Sequence, residues 1–333
     1  MSMMRRSRHG AALLLIFAVA FLPPRTADAA PQEMPIRTIA GRQYIHAGEV
    51  ARYFGMRLSY ARERYEMRGA AGSVIFNPRK RYGSFNGTVL NYDFAPEVVN
   101  GALYISFSDF QNLLQPLLNV RSLRSAPVRT IMIDPGHGGS DCGAIGKRFQ
   151  EKVLTLLIAW RVKALLEKQG YRVLMTRTAD RTLALSPRAK AAVTARADLF
   201  ISIHINSAAN STVRGIETFA LTPPGAPSSG SNKVVYTRYP GDAALRNSTA
   251  LAMSVQQSLM RTVKTPDRGM KRARFVVIRE NYCPAILVEC GFISNRLEES
   301  QLGTAAHREL LAQAIAAGVR NYHLRLWKKS QTK

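Results

Sequence analysis

From residue 129 onward the chain alternates short apolar runs with longer amphipathic stretches, and this alternation constrains the fold more than any other feature of its 333 residues. RTIMID (129–134), YRVLMT (171–176), LFISIHI (199–205), GIETFAL (215–221) and AILVEC (285–290) have the length and branched apolar content of strands. A helix is expected at 150–168, stopped by Gly170, and another opens at Ser186-Pro187, with Ser186 as N-cap and Pro187 at the first helical position. A long helix follows at 242–264, then the apolar runs RFVVIR and AILVEC as further strands, and a final helix from about 304 to 324. Strands separated by helices imply an α/β fold, a mostly parallel sheet flanked by helices. PPGAPSSGS (223–231) reads as a loop.

The segment before it follows a different pattern. Short strand-like runs (Tyr44-Ile45, MRLSY, SVIF, YISF) surround a helix at 47–54, and an amphipathic helix near 109–118 closes the unit. Asn86-Gly87 between GSF and TVLNY signals a two-residue hairpin, because a type I′ turn needs positive φ at both central positions. The patterning of 30–120 predicts a small α+β domain that resembles the stalk-like domain first recognised at the N-terminus of copper amine oxidases. The basic, Ser- and Pro-containing stretch 121–127 is the expected linker, and 128–333 the second domain.

Residues 1–29 read as a cleaved export signal, with a basic start, an apolar run from Ala11 to Leu22 and the A-x-A site Ala27-Asp28-Ala29. The apolar run is shorter than the roughly 20 residues that span a bilayer, so an integral membrane protein is not expected after cleavage. Lys and Arg number 47 against 22 Asp and Glu, a net charge of +25. The signal carries only Arg5, Arg6, Arg8 and Arg25 against Asp28, so most of that basicity belongs to the exported part and suits anionic envelope polymers. The charge is spread along the chain with no recognition motif, and export leads away from nucleic acid, so nucleic-acid binding is not expected. Three cysteines, Cys142, Cys283 and Cys290, show no C-x-x-C spacing; one disulfide among them or three free thiols are both open.

In open α/β sheets the chemistry gathers beyond the carboxyl ends of the strands. His137 lies there, in the Gly-rich turn IDPGHGG. Glu151 opens the following helix, while His204 and Glu289 end LFISIHI and AILVEC. In the first of these strands the two-residue period puts Ser202, His204 and Asn206 on one side. Two imidazoles and a carboxylate with an open fourth position make the ligand set of a catalytic zinc site, and such a site needs a further carboxylate to move protons. An ordinary structural role is the alternative for each: a hydrogen-bonded strand-end histidine, a Glu that complements a helix dipole, or a Glu289 paired with Arg274 or Arg279. A carboxylate within AILVECG is nevertheless costly unless it is paired or beside a metal. His9, His46, His307 and His323 fall at no strand end and are assigned structural roles.

IDPGHGGSDCGAIG, QEKVLTLLIAWRVKALLEKQGYRVLMTRTAD, LFISIHINS, RGIETF, DRGMKRARFVVIR and PAILVECGFISN together resemble, in order and spacing, the zinc-dependent N-acetylmuramoyl-L-alanine amidases of the family-3 type. The resemblance covers about 128–325. It implies Zn2+ held by His137, Glu151 and His204, with Glu289 as the catalytic residue. The implied substrate is peptidoglycan, cut between N-acetylmuramic acid and L-alanine, and the implied place is the periplasm or cell envelope. Cys142 stands where that family often has Pro. Two other readings of the sequence are a zinc peptidase acting within the stem peptide and a noncatalytic basic envelope-binding protein.

Overall fold

The computed structural model describes residues 34–331, so the expected export signal lies outside the described residues. The N-terminal segment runs β1 (Ile36–Ile39), β2 (Arg42–His46), α1 (Ala47–Tyr53), β3 (Arg57–Ala61), β4 (Arg64–Gly69), β5 (Gly72–Phe76), β6 (Tyr82–Phe85), β7 (Thr88–Asn91), β8 (Glu97–Val99) and β9 (Ala102–Ser106). Strands β1, β2, β9 and β8 form a small antiparallel sheet. His46 caps α1 by accepting a bond from the Gly48 amide. Asn86 and Gly87, with φ of 50° and 81°, make the expected hairpin between β6 and β7. The closing amphipathic stretch is a helical run over 107–118 whose central turn is a π-helix.

The rest continues with β10 (Thr130–Pro135), α2 (Glu151–Lys168), β11 (Arg172–Met175), α3 (Leu185–Thr194), β12 (Leu199–Asn206), β13 (Ile216–Leu221), the short ribbon β14 (Ala226–Pro227) and β15 (Val234–Val235), and α4 (Leu245–Thr262). Then come β16 (Asp267–Ala273), α5 (Val276–Arg279), β17 (Ala285–Phe292), α6 (Arg296–Leu302) and α7 (Ala305–Gln331). Two local expectations shift. Helix α3 begins before Ser186, so that residue is not its cap. The apolar VVIR is helical, and the strand is the more polar DRGMKRA before it. The pairing of β16 with β13 ends at Ala273 opposite Leu221, and the Arg274 guanidinium then turns to the carbonyls of Pro223, Ala226 and Val235.

The expectation of a mostly parallel sheet needs correction. Among the described residues the large sheet has eleven strands in the order β11-β10-β12-β17-β13-β16-β7-β6-β5-β4-β3 and is mixed. Strand β13 enters beside β17 in the opposite direction, and the hairpins of the N-terminal meander extend the sheet antiparallel from β7 to β3. The meander joins at a single parallel bridge, Met270 to Leu90. A hydrogen bond from the Val89 amide to Asp267 (2.7 Å) reinforces it.

Strand alternation divides the core. Ile131, Ile133, Ile201, Ile203, Ile286 and Val288 face one side, packed in a single cluster with apolar residues of α2, α4 and α7. Met132, Phe200 and Leu287 face the other, against Ala192 of α3 and Val277 and Ile278 of α5. His204 and Glu289 follow Phe200 and Leu287 on this second side, at the carboxyl ends of their strands.

Candidate metal centre and its surroundings

The polypeptide leaves β10 at Pro135 and turns through Gly136, His137, Gly138 and Gly139. His137 holds φ at 62°, a left-handed conformation that costs a non-glycine residue roughly 1–3 kcal/mol and persists only when its surroundings enforce it. Two arginines enforce it here. Arg177 donates to the carbonyls of Pro135 (3.0 Å) and Gly136 (2.9 Å), and Arg188 to those of Pro135 and His137, both at 2.7 Å. Arg188 also meets the buried Asp134 carboxylate at 2.9 Å, which accepts from Thr176 and Ser202 as well. Gly136 serves a different purpose. A Cβ at this position would lie 2.4 Å from the His204 ring, so only glycine lets the imidazole cross the turn.

Helix α2 then delivers Glu151 as its first residue, where the helix dipole favours a carboxylate. One oxygen of Glu151 lies 3.2 Å from His137 Nε2 and 2.9 Å from His204 Nδ1, and accepts the Ile205 amide at 3.0 Å. The other accepts the Ala144 amide at 2.8 Å. His137 Nδ1 is engaged 2.8 Å away by Asp141, which fixes which nitrogen faces the cluster. One ligand atom from each of His137, Glu151 and His204 lies within 4.8 Å of the others. Burial works to raise the Glu151 pKa, but the two imidazoles overcome it and carry the carboxyl below its ordinary range. Burial likewise disfavours the His137 imidazolium, and Glu151 and Asp141 outweigh it, so His137 is raised. An ionised carboxylate sharing two imidazoles, one of them oriented from outside by Asp141, is a donor set that fits a divalent cation.

Glu289 stands directly opposite His204 in the β12–β17 ladder. It is 9% exposed, and its Oε2 is buried with no hydrogen-bond partner. Burial, then the charges of Glu151 and Glu217, hold its pKa well above the usual carboxylate range, with Lys271 pulling the other way. Neither arginine considered as its partner is engaged with it. Arg274 is spent on loop carbonyls and Arg279 lies over the Tyr239 ring. The four residues singled out in the sequence are thus brought to one edge.

Sequence reasoning missed the supports: Arg177, Arg188 and Asp134, and Glu217 with Arg268 and Lys271. Each is a charged residue whose partner lies on another element, although Asp134, Glu217, and Arg268 with Lys271 stand inside the motifs IDPGHGG, RGIETF and DRGMKR. Cys142, Cys283 and Cys290 are all free, so no disulfide links them. His323 bonds the Tyr171 hydroxyl at 2.7 Å.

A family model described as N-acetylmuramoyl-L-alanine amidase matches residues 131–321, more than half of the chain. The chain is 37% identical over 194 residues to N-acetylmuramoyl-L-alanine amidase LytC of Bacillus subtilis, covering 58% of this chain and 35% of that one. It is 33% identical over 228 residues to N-acetylmuramoyl-L-alanine amidase AmiA of Salmonella typhimurium, covering 61% and 78%. The chain therefore spans about a third of the length of the first relative and over three-quarters of the second. Among solved structures, the N-acetylmuramoyl-L-alanine amidase from Clostridium difficile 630 superposes with a TM-score of 0.51 at 35% identity, over 59% of this chain and 97% of that one. AmiC2 of Nostoc punctiforme gives 0.50 at 32% identity, over 58% and 96%. The matched region contains His137, Glu151, His204 and Glu289 alike, and the chain belongs to the N-acetylmuramoyl-L-alanine amidase family.

Proposed function

We propose that the protein is a zinc-dependent amidase that hydrolyses the bond between the lactyl group of N-acetylmuramic acid and the L-alanine of the stem peptide in peptidoglycan. The observation that supports this most is the meeting of His137, Glu151 and His204 beside a buried carboxylate without a partner, in a chain of this family. Those three residues would hold the ion. Zinc, when bound, acidifies a water molecule toward neutral pH and polarises the scissile carbonyl.

The chain's own residues do the rest. Glu289 takes a proton from the attacking water as the carbon–oxygen bond forms, and gives it to the alanine nitrogen as the carbon–nitrogen bond breaks. The products are a lactyl carboxylic acid and a free amine. A raised pKa suits that double duty, since the group must both accept and release a proton near neutrality, and a cation beside it works in the same direction as Lys271. Asp141 and the Ala144 amide keep His137 and Glu151 oriented, and Arg177 and Arg188 keep the turn that carries His137 from relaxing.

The basic composition and the export-type N-terminal sequence support an exported protein of the periplasm or cell envelope, where anionic polymers are available to it. Among the described residues no helix is long and apolar enough to cross a membrane. The test is digestion of purified sacculi by the zinc-loaded protein. Free stem peptides with L-alanine amino termini and peptide-free glycan are expected. Peptides cut internally would make it a peptidase, and binding without release would make it a noncatalytic envelope protein.

A further inference from the structure

Beyond Glu289 the same face of the sheet carries a second polar group that the hydrolysis itself does not use. Glu217 on β13 is the direct neighbour of Glu289 in the β13–β17 ladder, as His204 is on the other side. Its Oε1 accepts from Asn206 at 2.9 Å, and its Oε2 accepts from Arg268 Nε at 2.8 Å and Lys271 Nζ at 2.5 Å. The carboxylate is nearly enclosed, whereas the Arg268 side chain is 34% exposed. Two cations face Glu217, and since Lys271 also bears on Glu289, Arg268 is the more exposed of the two and the one open to a further anion.

Arg268 is also held in place. Its Nε is committed to Glu217, and its guanidinium lies 4.9 Å over the centre of the Phe292 ring. Among the described residues its two terminal nitrogens have no protein partner, although Nε and the ring contact fix the plane in which they lie. A guanidinium held in this way gives up little freedom when it receives a carboxylate through two parallel bonds. A sugar hydroxyl or acetamido oxygen can accept a single bond from it, but a carboxylate matches both nitrogens of the fork at once.

We propose that Arg268, set by Glu217 and Phe292 beside Glu289, reads a carboxylate on the peptide side of the scissile amide. The inference rests on the amidase reading above. From β12, which bears His204, to β16, which bears Arg268, is three strand spacings, roughly 14 Å. An arginine side chain spans almost half of that. The remainder is about two residues of extended peptide, at about 3.3 Å each. In a muramoyl stem peptide the second residue is joined onward through its side-chain carboxyl and keeps a free α-carboxylate at that distance, unless that carboxylate is amidated. The specificity is therefore for the free acid over the amide.

The experiment uses the full chain and two matched muramoyl tripeptides that differ only in whether this α-carboxylate is free or amidated. The wild type is expected to favour the free acid by about 10- to 100-fold in kcat/KM, the range of a charge-assisted bidentate contact. Arg268→Ala should lose most of its efficiency on the free acid and much less on the amide, bringing the ratio close to one. Arg268→Lys, which keeps the charge and loses the fork, should fall between. Equal efficiency of the wild type on both substrates would overturn the inference while leaving the amidase reading intact, and so would an unchanged ratio in either variant. Cleavage of neither substrate by the zinc-loaded wild type would instead overturn the amidase reading. Because the wild-type ratio is decisive alone, the test survives a variant that does not fold.

Discussion

Glu289 is the residue on which ligand and catalyst can be told apart. Its Oε2 has no partner, and no cation touches it, so exchanging it for the neutral amide removes no ion pair. Glu289→Gln should therefore keep about one zinc per chain and a near-normal melting temperature, while kcat falls by about 10²- to 10⁴-fold, the usual share of general acid–base catalysis. Metal analysis beside single-turnover kinetics decides it: loss of zinc with activity would make Glu289 a ligand, and near-normal turnover would remove its role. This residue was legible in the sequence because a carboxylate inside AILVEC contradicts its surroundings, as a histidine at the end of LFISIHI also does. Glu217, inside GIETFAL, contradicts its surroundings in the same way, whereas Arg268 and Arg177 contradict nothing locally. What each does depends on a partner tens of residues away, and one strand's periodicity carries no record of its neighbour.

At the scale of elements, β16 is where the sequence misled and where the structure is most sensitive. Its apolar successor VVIR looked more like a strand than DRGMKRA, but pairing partners decided the matter: β13 on one side and β7 on the other both end alongside β16. Gly269 makes the close approach possible. It sits at φ +86°, and a Cβ there would lie 2.7 Å from both the carbonyl oxygen and the Cγ1 of Val89. The backbone cannot yield as a flexible side chain would. Gly269→Ala should lower the unfolding free energy by about 1–3 kcal/mol through strain alone, and by more if β7 is pushed off the ladder. Chemical denaturation gives the value. Amide exchange should show faster opening at Leu90 and Met270 than in α2. The long helices and the Asn86-Gly87 hairpin were legible beforehand because their signals are local; the mixed direction of the sheet was not, since direction is settled by how distant segments meet.

In the molecule as a whole, the two segments that differ in pattern are joined through charge as well as through strands. Arg272 of β16 is fully buried, 3.6 Å from Asp93 of the N-terminal segment, and it donates to the Asn112 carbonyl at 2.8 Å. Beside it Asp109 accepts the amides of Asp93 and Phe94, and burial together with the Asp93 charge pushes Asp109 up to about 7. A carboxyl raised in the folded state binds its proton more tightly there than in the unfolded chain. Its contribution to stability is thus complete below the ordinary Asp range and is lost as pH rises toward and through about 7. The melting temperature should therefore fall between pH 5 and pH 8. His137 and Glu289, also raised, slope the same way in metal-free protein, while His307 and His323, lowered by burial, slope the other way, so Asp109→Asn is the informative variant: it should flatten part of the slope, and an unaltered slope would assign the effect elsewhere. The single-bridge seam between β7 and β16 has a mechanical side too. The N-terminal segment is also held against α4 and α7, by Thr249 on the Asn112 carbonyl and Arg325 on those of Pro116 and Leu117, and the backbone itself runs from it into β10. A pull on that segment is therefore shared between the seam beside Arg268 and the strand that leads into His137.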